Sequence, residues 1–326
     1  MAEGPDGSVE PRPRERGSAW LRVLLIGGTL YFLGVGILVL TQNPNLFPTV
    51  IMLGGFLVPA AFVAFFYERR YLSRLSISTT ALAFFYGGVL GVFAASLLEP
   101  IFIRQLDFFS AFLVGLIEEA AKILGVLVIA RHRRHDAEMD GLILGAAAGM
   151  GFAALESTGY AFTGFVESGG SLSTMVAIIL VRGLLAPLGH GTWTAILAAV
   201  LFREGHVGHF HLDRKVIGTY LLVSGLHGLW DGVPSLFTTI LGRGVDLFVG
   251  QFIVGGVGIY LLVVLWRDAR RRQLQELQAQ ATAAQRPAEA VVEQEAAAEA
   301  GEPEPLPAPE EESPPEQVPE EMRHGR

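Results

Sequence analysis

The sequence predicts an all-α, polytopic membrane bundle of about eight transmembrane helices with both termini in the cytoplasm. Three observations carry that prediction. Of the 326 residues, 51% are hydrophobic and only 17% charged, and the charges collect at the two ends and in short loops. Between them the chain is apolar in runs of about 20 residues, the length a helix needs to cross a hydrocarbon core. The arginines and lysines also fall in alternate loops, as the positive-inside bias requires of a multi-pass protein.

Residues 1–18, polar and carrying Pro, Gly and Arg, are read as a disordered cytoplasmic arm. Spans are expected near 19–41, 48–66, 78–98, 107–130, 140–165, 174–201, 215–239 and 245–266, which makes 19–266 the membrane domain. The first run follows Arg12, Arg14 and Arg16 as a secretory signal would. It is longer than a signal's apolar region and no A-x-A site follows, so it reads as a retained span. Arg69, Arg70 and Arg74 follow the second span, Arg131, Arg133 and Arg134 the fourth, and Arg203, Arg214 and Lys215 the sixth. Arg267, Arg270, Arg271 and Arg272 follow the eighth, while the opposite loops carry only Arg104 and Arg243.

Small residues and breaks indicate packing. Gly141, Gly145 and Gly149 recur every four residues, a stripe that lets a neighbouring backbone approach closely, with the fourth span as the expected neighbour. Pro187 and Gly189 interrupt the sixth span just before His190, a break tolerated where freed backbone groups face protein or water. After Trp266 a basic stretch reads as a short helix leaving the membrane. Residues 267–326 form a cytoplasmic region that from about 286 is rich in Ala, Glu and Pro, cannot bury a core, and is expected to be a disordered acidic tail.

The net charge of −8 reflects acid concentrated in that tail and points to no nucleic-acid partner. The chain has no cysteine, which excludes disulfides, thiolate catalysis and cysteine-ligated zinc.

The chemistry lies in the ionisable residues within the spans. Ile117-Glu118-Glu119-Ala120-Ala121-Lys122 sits near the middle of the fourth run. A charge at the centre of a membrane helix costs on the order of 2.5–3.5 kcal/mol on insertion scales, so such residues face a cavity or a partner and mark function. Glu118 and Lys122, four apart, share a helix face and are expected to pair, while Glu119 points about 100° around the helix. Glu156, in the fifth span, has no cation near it in sequence and needs one from another helix. Arg182 reads as a counter-ion for an acid.

His227 and Asp231, four apart, place a carboxylate where it can fix the tautomer of the imidazole, or simply tie two spans together. His190, alone on its helix, reads equally as a bonded core histidine or a ligand. Together these acids and two histidines exceed what packing needs, and they can activate water. The absence of H-E-x-x-H excludes the common zinc-protease helix, though not a metal held between helices. A proton-coupled transporter, or a non-catalytic membrane scaffold, would also use intramembrane acids and histidines; no inverted repeat favours the transporter.

Four stretches carry a resemblance. Glu-Glu-Ala-Ala-Lys at 118–122, Gly-Phe-Ala-Ala-Leu-Glu at 151–156, His-Gly-Thr-Trp-Thr-Ala at 190–195 and Leu-His-Gly-Leu-Trp-Asp at 226–231 resemble, in order and spacing, the motifs of the PrsW family. These are bacterial intramembrane proteases related to the CAAX prenyl-protease superfamily, and the resemblance covers roughly residues 20–266. It implies a peptidase of the bacterial cytoplasmic membrane that cleaves membrane-anchored proteins within the lipid bilayer. The family's best-known role makes an anti-sigma factor a candidate substrate.

The resemblance further implies Glu118 and Glu119 as the water-activating acids, with Glu156, His190 and His227 completing the site and Lys122, Asp231 and Ser157 supporting it. It leaves zinc, on His190, His227 and Glu156, and a metal-free glutamate mechanism both open. At Ser157 the sequence departs from the asparagine expected of the family, which puts any orienting role of that side chain in doubt.

Overall fold

The computed structural model describes residues 18–70, 73, 75–105, 107–131, 138–205, 210–241 and 249–299. The arm at 1–17, the tail beyond 299, and Arg74, Arg133, Arg134 and Arg243 of the charge pattern lie outside them. Nine helices run among the described residues. They are α1 (Ala19–Thr41), α2 (Phe47–Glu68), α3 (Ile77–Phe102), α4 (Ser110–Ala130), α5 (Glu138–Glu167), α6 (Leu172–Leu185), α7 (His190–Glu204), α8 (Arg214–Leu241) and α9 (Val249–Glu299). No strand occurs among them, in keeping with the all-α prediction.

Polar residues at the helix starts account for several boundaries. Ser76 and Ser171 accept from the backbone N–H of Thr79 and Thr174, and Asp213 accepts from that of Val216. Asp107 and Ser110 bond reciprocally, each side chain taking the other's backbone N–H. These caps satisfy donors that a helix leaves open at its first turn. The link from α5 to α6 turns through Gly169 and Gly170 at φ 69° and 91°, left-handed conformations that favour glycine.

Six helical segments are long and apolar enough to cross a membrane by length and composition, against the eight spans expected. The two that fall short are α4 and α8. Every 18-residue stretch of α4 contains Glu118, Glu119 and Lys122, and α8 carries Arg214, Lys215, His227 and Asp231. The residues that make these helices chemically interesting are those that lower their apolarity. Both pack within the bundle, α4 against α3, α5, α7 and α8, and α8 against α4 and α7.

The centre of the bundle is the pair α5 and α7. Every residue from Met139 to Ala154 is buried, as is every residue from His190 to Phe202. A helix apolar around its whole circumference belongs in an interior, and the glycine stripe explains how two of them meet. A Cβ added to Gly141, Gly145 or Gly149 would collide with the carbonyl oxygen of Ala198, Thr194 or His190 respectively. Each step of four along α5 is matched by a step of four back along α7, so the helices run antiparallel in backbone contact. The stripe therefore seats α5 on α7, not on the fourth span as expected. The third span also meets α5 closely, α3 fitting Gly87 and Gly88 against Ala148 and Gly151, and α4 packs on α5 as well.

The predicted break in the sixth span is real: a 3-10 turn at Ala186–Leu188 and a non-helical Gly189 separate α6 from α7. Thr192 donates to the freed carbonyl of Pro187 at 2.7 Å. Helices α1 and α2 pack on one another. Tyr31, Leu38, Val50 and Ile51 form a separate cluster with Ala161, Met175 and Ile179, and α1 exposes Leu25, Ile26, Phe32 and Leu40. Helix α9 stays helical through Glu299, past residue 286 where the Ala/Glu/Pro composition begins. The described residues from Gln275 to Glu299 belong to a unit of their own.

Candidate active site

The motif helices bring their ionisable residues to one point. Lys122, fully buried, is the hub: its Nζ donates to Glu118 Oε2 at 3.0 Å and to Glu119 Oε1 at 2.8 Å, and lies 2.9 Å from His190 Nδ1. It also stands 4.0 Å over the Phe152 ring. The expected Lys122–Glu118 pair is thus present, and Glu119 shares the same ammonium. Four and three residues before it on the same helix, the two carboxylates both reach one lysine.

The two glutamates differ in what else they meet. Glu119 is completely buried; its Oε1 also faces His227 Nδ1 at 3.1 Å, and its Oε2 accepts from Thr194 at 3.0 Å. Glu118 keeps 4% of its surface and lines a cavity of about 590 Å³. Its Oε2 lies 3.6 Å from His227 Nε2 and 3.9 Å from His190 Nδ1.

The histidines sit face to edge, ring centres 5.0 Å apart, and Trp193 stacks behind His227 at 4.7 Å. Asp231 reaches His227 Nε2 at 3.3 Å, as its spacing suggested. Glu156 receives the cation its sequence lacked: Arg182 Nη2 lies 2.6 Å from Oε2, and the same oxygen is 3.0 Å from His190 Nε2. Ser157 Oγ accepts from Arg182 Nε at 3.3 Å, so its contact is with the counter-ion rather than with Glu118 or an imidazole.

All nine residues singled out in the sequence, Ser157 and Arg182 included, therefore lie in one connected set. Two members were not singled out. Thr194 sits one turn past His190 on the same face of α7, a spacing that signals a shared surface. Glu99 lines the cavity with Glu118, Glu156 and Asp231. It falls one residue beyond the expected third span, but α3 continues through Pro100 to Phe102 and keeps it within the helix.

Ligand atoms of Glu118, His190 and His227 all lie within 4.8 Å of one another. Two imidazoles and one carboxylate form the donor set of a catalytic zinc. The Glu119 contact at His227 Nδ1 is the type of outer carboxylate that steadies a metal-binding histidine. The residues therefore fit a metal in chemistry. The carboxylate grouped with the histidines is Glu118, while Glu156 is taken up by Arg182 and His190.

A carboxylate on a cavity floor, flanked by imidazoles and enclosed by membrane-length helices, is the equipment of a hydrolase that works inside the bilayer. Comparison with protein families specifies which: the model described as PrsW family intramembrane metalloprotease matches residues 76–267, more than half of the chain. The chain belongs to that family and is a multi-pass membrane peptidase. The match begins at Ser76, the cap of α3, so α1 and α2 fall outside it although the motif resemblance was expected to start near residue 20. Comparison with curated proteins and with solved structures returns no match.

Proposed function

We propose that this peptidase cleaves membrane-anchored proteins at the outer side of a bacterial cytoplasmic membrane, with Glu118 as the base that activates water. The observation that carries this reading is the division of labour between the adjacent glutamates. Glu119 has both oxygens engaged by Lys122, His227 and Thr194 and is fully buried, whereas Glu118 lines the cavity. The cavity runs from Glu118 and His190 to Arg104 and Gln105 beyond the end of α3. That end lies opposite the loops rich in arginine and lysine, hence away from the cytoplasm. An anti-sigma factor with an extracytoplasmic portion is one substrate of suitable topology.

In this mechanism a substrate segment enters the cavity and its scissile carbonyl settles near the His190 and His227 rings. Glu118 takes a proton from a water held between itself and those rings, and the resulting hydroxide adds to the carbonyl carbon. The oxyanion develops beside the two imidazole rings, and Glu118 returns the proton to the amine as the C–N bond breaks. Lys122 holds Glu118 and Glu119 in register; Asp231 and Glu119 fix His227 from its two nitrogens; Glu156, held by Arg182, fixes His190. Glu118, His190 and His227 would hold a metal such as zinc, which when bound lowers the pKa of water and polarises a carbonyl.

The test is a comparison of membrane-protein N-termini from cells expressing, at matched levels, the wild type or a Glu118→Gln, Glu119→Gln variant. New N-termini at the outer ends of spans, seen only with the wild type, support the reading and name substrates. Identical N-termini from two folded proteins overturn it.

A further inference from the structure

Four carboxylates border the outer cavity, and three of them face a basic side chain. Glu118 is paired with Lys122 at 3.0 Å, Glu156 with Arg182 at 2.6 Å, and Asp231 lies 3.3 Å from His227. Glu99 makes no ion pair among the described residues. Glu99 is half-buried; its Oε1 accepts no hydrogen bond, while its carboxyl group is hydrogen-bonded to the Glu118 side chain. A buried acceptor without a donor is destabilising, the more so beside another acid, and the missing donor is the kind of group a substrate supplies.

We propose that Glu99 is a substrate-selecting residue that accepts a cationic side chain, lysine or arginine, on the extracytoplasmic side of the cleaved bond. The inference rests on the proteolytic reading above and adds a specificity to it. Its position follows from α3: Glu99 lies five and six residues before Arg104 and Gln105 and lines the same cavity as they and Glu118 do, so a segment filling that cavity meets it. A cation is favoured over a neutral donor because acids outnumber bases along this path. Of the two arginines there, Arg182 is already bound to Glu156. The other, Arg104, is exposed at the mouth, where solvent screens its charge. The desolvated Glu99 oxygen discriminates more strongly than a solvated rim charge, since charge pairs gain most where water is excluded.

The test uses the full chain in proteoliposomes and a single-span substrate identified by the N-terminus comparison. Lysine, glutamine or glutamate is placed in turn at each position through the outer end of its span. Wild type is expected to cleave the lysine form about tenfold or more faster than the glutamine form at one position, the range of a hydrogen bond to a charged group.

Glu99→Gln is expected to abolish that ratio, and Glu99→Lys to favour glutamate at the same position. Because each ratio is taken within one protein, a general loss of activity cancels. A lysine preference that survives in Glu99→Gln, or none at any position in wild type, overturns the assignment and leaves proteolysis intact. A comparison that yields no substrate overturns proteolysis and this inference together.

Discussion

Replacing Lys122 with methionine keeps the length of the side chain and removes the charge at the hub. Lys122 is fully buried and faces Glu119 at 2.8 Å and Glu118 at 3.0 Å, side chains that are 0% and 6% exposed. Removing one partner of a buried ion pair costs about 3–5 kcal/mol, because the charge left behind is neither solvated nor paired. Two carboxylates share this lysine, so the loss should lie toward the upper part of that range. Removing one carboxylate as well, in Lys122→Met with Glu119→Gln, should recover part of it, with a coupling of roughly 0.5–3 kcal/mol as found for residues within one network. Equilibrium unfolding of the purified protein in mixed micelles measures both quantities. A cost below about 1 kcal/mol, with no coupling, would place Lys122 in the class of weak solvated pairs and refute the hub.

Three further outcomes follow from the same geometry. Gly149→Ala, whose added Cβ would collide with the His190 carbonyl, should separate α5 from α7 at a cost of about 1–3 kcal/mol for overpacking; unfolding and cleavage assays on the same sample should show both stability and activity falling. Arg182→Gln removes the 2.6 Å partner of Glu156 and so loosens His190; cleavage should drop by roughly 10–100-fold, the usual cost of losing an outer-shell partner, with little change in expression. Chelation should stop cleavage and zinc restore it in wild type, while His227→Ala should retain less metal by elemental analysis and stay inactive. Full activity after chelation would leave the glutamate and histidines acting alone.

Much of this arrangement was legible in the sequence because a bilayer penalises charge. Within apolar runs of membrane length, Glu118, Glu119, Lys122, Glu156, Arg182, His190, His227 and Asp231 had no bland explanation together, and all of them meet in the fold. The i,i+4 spacing also gave the Lys122–Glu118 and His227–Asp231 contacts directly. Contacts between helices were not legible. The stripe at Gly141, Gly145 and Gly149 announces a close neighbour but not its identity, and α7 takes the place expected of the fourth span.

Glu99 was missed for a related reason. The apolar run ends at residue 98, and only continuation of the helix through Pro100 shows that Glu99 still faces the interior path. The difference between Glu118 and Glu119 is likewise a property of the assembled bundle. Thr194, 75 residues away in sequence, closes off one glutamate and leaves its neighbour facing the cavity.

The most direct test of the central claim is the cleavage rate of purified wild type against Glu118→Gln, on one identified substrate, in proteoliposomes and with binding measured separately. If Glu118 is the base, the glutamine variant should bind the substrate about as well and cleave it about 10²–10⁴-fold more slowly, the usual contribution of a positioned acid–base group. Cleavage by Glu118→Gln within a few fold of wild type would contradict the account and transfer the role of base to another residue.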